Sequence, residues 1–74
     1  MEKIEIIEIL DLIGTMLEIK GENPFKVRAY FSGSRILQTM EEDLGSVIEE
    51  GRLGDVPGIG KALTEKIETI FKTC

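Results

Sequence analysis

Apolar residues recur at three- and four-residue steps through residues 3–19. Ile6, Ile9, Leu10, Ile13, Met16 and Leu17 fall on one stripe of a helix. Ile4, Ile7 and Leu12 widen the apolar surface, while Glu5, Glu8, Asp11, Thr15 and Glu18 lie mostly elsewhere. The β-branched opening (Ile4, Ile6, Ile7) suits a strand locally, but length and period favour a helix. Early acids match the positive end of a helix dipole, and Gly21 is placed to end the helix. A second helix opens at Asn23-Pro24, a preferred N-cap followed by a preferred first helical residue, and runs to about Met40. Val27, Phe31 and Ser34 share one side of it. Tyr30, Gly33, Ile36, Leu37 and Met40 cover a broad opposite sector, and Arg28, Ser32, Arg35 and Thr39 form a narrow polar strip. A helix so apolar around its circumference belongs at the centre of a bundle. Gly33 weakens it, which predicts close approach of another helix there. Asp43 caps a short third helix, about Leu44 to Glu50, with Leu44, Val47 and Ile48 facing in and Gly51 ending it. A fourth helix follows Gly60, marked by Leu63, Ile67, Ile70 and Phe71.

Between the last two helices lies Val56-Pro57-Gly58-Ile59-Gly60. Pro57 fixes one torsion and lacks a donor. Gly58 and Gly60 permit positive φ and close backbone approach. Ile59 is an apolar peg between them, and Leu53 and Val56 read as anchors against the core. A tight hairpin feeding a helix N-terminus presents free N–H groups and a favourable dipole, an anion site. The plainer alternative is a helix–helix turn whose glycines serve geometry alone. The expected fold is all-α: one domain over residues 1–74, a small four-helix bundle with a helix-hairpin-helix motif between the last two helices.

Charge refines this picture. The 74 residues carry 14 acids against nine bases, a net charge of −5, which argues against indiscriminate nucleic-acid binding. The distribution is uneven. Residues 23–40 hold Lys26, Arg28 and Arg35 and no acid, whereas residues 41–50 hold five acids and no base. Positive charge therefore gathers in the second segment and around the hairpin. One cysteine, Cys74, and no histidine argue against a disulfide and a transition-metal site. No apolar run approaches the roughly 20 residues of a membrane span. The charged opening Met1-Glu2-Lys3-Ile4-Glu5 does not read as a signal peptide, so the cytoplasm is the expected compartment. Lys26 and Tyr30, four apart, share a helix face, where a cation and a hydroxyl donor suit a terminal phosphate. Their ordinary reading is a lysine stem lying along a half-buried tyrosine.

Three stretches together resemble a known family: Gly21-Glu22-Asn23-Pro24-Phe25-Lys26-Val27-Arg28-Ala29-Tyr30, then Glu49-Glu50-Gly51, then Val56-Pro57-Gly58-Ile59-Gly60 with Glu65-Lys66-Ile67. They are similar to the amino-terminal, lyase-type domain of family X DNA polymerases, of the DNA polymerase beta kind, closest to bacterial and archaeal members. The resemblance implies a four-helix domain that binds gapped DNA at the downstream 5′-phosphate in base excision repair. It also implies, in some members, a 5′-deoxyribose phosphate lyase. The Schiff-base lysine falls on Lys66, and the phosphate-pocket pair falls on Lys26 and Tyr30. Backbone amides near Gly58, Gly60 and Lys61 would hold DNA phosphate, and the carbonyls of Gly54, Val56 and Ile59 a monovalent cation, K⁺ or Na⁺. Two departures weigh against lyase activity, because further family lysines are replaced here by Gly54 and Ala62. No cluster of carboxylates suits polymerase chemistry, so the chain is expected to be a monomer or part of a longer polymerase. The rival expectation is a non-catalytic acidic protein-interaction domain that uses its Ile- and Leu-rich first helix.

Overall fold

The computed structural model describes residues 2–73; Met1 and Cys74 lie outside them. Four α-helices follow in order: α1 Lys3–Ile19, α2 Pro24–Thr39, α3 Leu44–Glu49 and α4 Lys61–Thr73. A single 3₁₀ turn, Leu53–Asp55, separates α3 from the hairpin. No strand occurs among the described residues, and no helix there is long and apolar enough to cross a membrane.

Local chemistry sets these boundaries. The Asn23 side chain accepts from the Phe25 amide at 2.8 Å, and Asp43 accepts from the Ser46 amide at 3.1 Å. Both are N-caps that satisfy otherwise orphaned first-turn donors. α1 and α3 end alike. Gly21 adopts φ +76° and Gly51 φ +69°. The amides beyond them reach back, Glu22 to the Leu17 carbonyl and Arg52 to the Val47 carbonyl, each at 3.0 Å. That is the Schellman arrangement, in which glycine takes the left-handed position. α2 has no basic residue in its last turn; instead Lys3 Nζ of α1 donates to the Met40 carbonyl at 2.6 Å. A cation there complements the negative end of the α2 dipole.

The core is built from Ile6, Ile7 and Leu10 of α1, Tyr30 and Leu37 of α2, Leu44, Val47 and Ile48 of α3, Leu53 and Ile59 of the connection, and Leu63 and Ile67 of α4. One expectation shifts. The buried face of α1 is rotated toward Ile7 and Gly14, and Met16, counted in the apolar stripe, is exposed. The cause is Gly14. A Cβ there would meet the Phe31 ring at 3.0 Å, so α2 packs against a position with no side chain to mark it as apolar.

Gly33 behaves as expected: a Cβ on it would lie 2.3 Å from Leu63 Cδ2, so α4 is seated where α2 has no side chain. Replacing Gly33 by alanine must displace the Leu63 Cδ2 methyl; overpacking of this kind costs about 1–3 kcal/mol, offset by about 1 kcal/mol of regained helix propensity. Gly58→Ala combines a 2.4 Å clash with Ile36 Cδ1 and a φ of +93°, so strain of about 1–3 kcal/mol adds to the overpacking. Gly60 meets nothing within 4 Å, and its alanine variant is expected to lose about 1 kcal/mol or less through its position before α4. Urea unfolding of the three variants should rank Gly58→Ala as most damaging, then Gly33→Ala, then Gly60→Ala. A Gly60→Ala variant as unstable as Gly58→Ala would contradict this packing.

Candidate nucleic-acid interface

The hairpin is a turn of defined type. Ile59 N–H donates to the Val56 carbonyl at 3.1 Å across Pro57 and Gly58, and Gly58 has φ +93°. Proline second and a positive-φ glycine third is the type II pattern. The turn drives Ile59 into the core, where it is 4% exposed, and Leu53 is wholly buried before it. Val56 is only half-buried. Both ends of the connection are thus anchored, and the backbone between them is held at the surface. Gly58 presses on Ile36 of α2. Gly60 departs from expectation, since it has neither positive φ nor a crowded Cα. Its place as the residue capping α4 is the one reason the fold gives for glycine there.

α4 begins directly after this open position. Its first internal bond runs from the Thr64 amide to the Gly60 carbonyl at 2.9 Å, reinforced by the Thr64 hydroxyl at 2.9 Å. The amides of Gly60, Lys61, Ala62 and Leu63 make no hydrogen bond among the described residues. Unpaired first-turn donors at the positive end of a helix are what an anion seeks. Lys61, first in α4, is exposed beside them.

The candidate side chains on α2 and α4 lie along the α2–α4 side of the bundle, and Lys26 is ten residues, about 15 Å of helix, from the Ile36 that meets the hairpin. Gly58 lies against Ile36, and Leu63 against Gly33, so α4 passes α2 in the opposite chain direction. Thr64 and Phe71, on the other edge of α4, approach Gly54 and Gly45. Lys66 is one turn beyond Leu63 and Tyr30 one turn before Gly33, which puts them at one level along the two helices. Lys26 lies a further turn along the same α2 face. Lys26 and Lys66 are exposed, while the Tyr30 ring is buried at 8% exposure. Phe25, next to Lys26, is 77% exposed, and the sequence reading gave it no role.

One base expected to enrich the hairpin is committed elsewhere. Arg52 bridges Glu42 and Glu50, each at 2.6 Å, the only ion pairs among the described residues. The hydrogen bond from Arg52, then its charge, hold the Glu42 carboxyl below its ordinary value of 4.5. The same bonds raise the Arg52 guanidinium. The cation around the hairpin is therefore carried by lysines. The carbonyls of Gly54 and Ile59 accept no hydrogen bond among the described residues, and that of Val56 accepts one and keeps a second lone pair.

A helix-hairpin-helix domain family matches residues 1–74, and the chain belongs to that family. Among curated proteins it is 39% identical over 61 residues to the DNA polymerase/3′-5′ exonuclease PolX of Bacillus subtilis (strain 168). That alignment takes in 82% of this chain and 10% of the relative's length. The resemblance to family X DNA polymerases therefore holds. No solved structure matches.

The Arg52 bridge makes a pH prediction. A lowered carboxyl in the folded state stabilises the fold at neutral pH, and this contribution fades as pH falls through and below 4.5. Carboxyl NMR titration should place the Glu42 midpoint below 4.5, and Arg52→Ala should return it there. An unchanged midpoint in the variant would refute the bridge.

Proposed function

We propose that this domain is a DNA-binding module that grips a backbone phosphate at the hairpin and the first turn of α4, without reading bases. The observation that carries this is the run of unpaired amides from Gly60 to Leu63, opening onto the uncrowded Gly60. Backbone donors at a helix N-terminus hold phosphate by geometry and are blind to sequence. Membership of the helix-hairpin-helix family and the likeness to a DNA polymerase support the same reading.

The finer proposal is that the phosphate is the 5′-terminal one of a gap. Lys26 and Lys66 supply charge from the α2 flank and Tyr30 a hydroxyl edge. The exposed Phe25 offers an aromatic face for an adjacent base. A gap brings a phosphate end and an unstacked base together, which matches a surface with both. In this reading the Gly54, Val56 and Ile59 carbonyls share a K⁺ or Na⁺ with the bound backbone. The biological setting would be gap filling in base excision repair.

Lys66 would act as a point charge. Schiff-base chemistry needs its amine neutral, to attack the aldehyde of an opened abasic sugar. Burial or nearby cations favour a neutral amine, but Lys66 is exposed, and Ala62, one turn earlier, brings no charge. The sugar's C2′ proton would otherwise leave from the protonated imine, and the 3′-linked phosphate would depart.

Few cations take part, so binding by this domain should be weak. With Lys26, Lys61 and Lys66 each meeting a phosphate, log affinity should fall against log salt with a slope of about −3. The deciding measurement is a titration at low salt of gapped DNA with and without a 5′-phosphate, beside blunt duplex. A preference for the phosphorylated gap supports the proposal; equal affinity for all three would favour the acidic interaction-domain rival. Gly60→Ala should weaken binding by about tenfold because its Cβ occupies the space the phosphate needs, while leaving the fold intact. Exchange of K⁺ for Li⁺ should lower affinity, and no change would remove the cation from this account. Borohydride with incised abasic DNA should trap no adduct. A covalent adduct lost in Lys66→Ala, with binding retained, would establish lyase chemistry instead.

A further inference from the structure

Five large apolar side chains are exposed among the described residues, and four of them lie on one helix: Ile4, Leu12, Met16 and Ile19 of α1, between 54% and 80% exposed. Leu12, Met16 and Ile19 follow at four- and three-residue steps, so they align on one face. The half-buried Ile9 precedes Leu12 by three and continues that line. The resulting spacing of Ile9, Leu12, Met16 and Ile19 is the seam by which a helix takes up another helix. This face points away from the core side of α1, where Ile6, Leu10 and Gly14 meet the rest of the bundle. It is therefore remote from the hairpin, which is seated on α2.

An exposed apolar line of this length marks an interaction surface. Its surroundings say what kind. Glu5 and Glu8 flank its amino-terminal end, Glu18 and Glu22 its carboxy-terminal end, and Asp11 lies along its side, five acids against Lys20 on the same segment. None of these carboxylates is in an ion pair among the described residues. Beside Glu18 and Glu22 opens a cleft of about 520 Å³ floored by Pro24, Val27 and Phe31, with Arg28 also on its wall. Along α1 itself the acids outnumber the bases, so phosphate is disfavoured on this face, and a second copy of the chain would set carboxylate against carboxylate.

We infer that the outward face of α1 docks a basic amphipathic helix of a partner protein. Its apolar residues, at three- and four-residue spacing, lie on Leu12, Met16 and Ile19, and its lysines or arginines pair with the carboxylates at either end. This is helix-in-groove recognition, with an unbranched methionine at the centre of the seam to adapt to the partner. Because the face lies away from the hairpin, the domain can hold DNA and the partner helix together.

The test uses two labelled synthetic peptides with one leucine pattern at helical spacing, one with lysine and one with glutamate at the remaining positions. The lysine peptide should bind the intact chain and perturb amide resonances of α1 while leaving those of residues 57–63 unmoved. Leu12→Ser/Met16→Ser/Ile19→Ser should lose about tenfold or more in affinity. Those side chains are exposed, so its unfolding midpoint should fall only slightly, through the lower helix propensity of serine, and its affinity for 5′-phosphorylated gapped DNA should be retained, which separates this test from that of the hairpin. Equal binding of the lysine peptide by the triple-serine variant would overturn the proposal. Equal binding of both peptides by the intact chain would overturn the charge argument and the partner it names. A dimer in sedimentation that dissociates in the triple-serine variant would assign the face to a second copy instead.

Discussion

Everything in this small domain depends on how closely α2 lets its neighbours approach. Two glycines permit it, Gly33 under Leu63 and Gly58 against Ile36, at distances no Cβ would tolerate. A chain of this size buries only about three-fifths of its unfolded surface. It cannot hold a hairpin by bulk of core, so it holds it by close contact. Once Gly58 rests on α2, the type II turn sends Ile59 inward, and Leu53 is already buried on the other side. The backbone between these anchors has no freedom left, and α4 must begin at the surface with its first amides turned to water. The anion site is thus a consequence of packing on the far side of the same turn.

That site works within an acidic protein, and magnitudes decide whether it can. A pair of charges 4 Å apart near a surface interacts by about 4 kcal/mol, and the interaction falls with distance and with salt. At physiological ionic strength screening sets in over about 8 Å. The molecule measures 35 × 24 × 20 Å, so the carboxylates on the outer face of α1 are screened from the hairpin. The acids that matter are those in the 41–50 segment and early in α4. Two of the former, Glu42 and Glu50, share the single charge of Arg52 and are half compensated by it. That bridge commits an arginine away from the phosphate surface and leaves one net negative charge there. Both members are exposed, so its value lies in local field more than in stability.

Much of this was legible in the residues. Asn23-Pro24, Asp43, Gly21 and Gly51 mark helix ends because their chemistry acts within four residues. The Pro57-Gly58 turn is readable for the same reason. Gly33 is readable as a helix-weakening residue in an otherwise good helix. What failed to show in sequence depends on neighbours distant along the chain. Gly14 carries no hydrophobic signal, yet it fixes which face of α1 meets Phe31, and so Met16 was assigned to the core it does not enter. Arg52 looked free because Glu42, ten residues away, comes within reach only when α3 folds back. The 3₁₀ turn at Leu53–Asp55 arises from bonds to the carbonyls of Arg52 and Leu53 that no propensity announces. At Gly60 the local expectation of positive φ was wrong, and the open space above it appears only once the hairpin is assembled.

The rotation of α1 has a further consequence for how the domain divides its surface. Had the stripe of Ile6, Ile9, Ile13 and Met16 faced inward as its periodicity suggests, the outer face would have been Glu5, Glu8 and Thr15, an ordinary solvated surface. Turning the helix toward Gly14 buries Ile7 and brings α2 close, and it necessarily carries Leu12, Met16 and Ile19 outward. The apolar excess of α1 is therefore linked to the packing of α2, which seats the hairpin. A helix with more apolar residues than one face can bury must either lose them or use them. The carboxylates spaced around these side chains set like charge against like charge wherever two copies of this face would meet. The phosphate site proposed at the hairpin and the outward face of α1 thus both depend on the glycine-mediated approaches to α2.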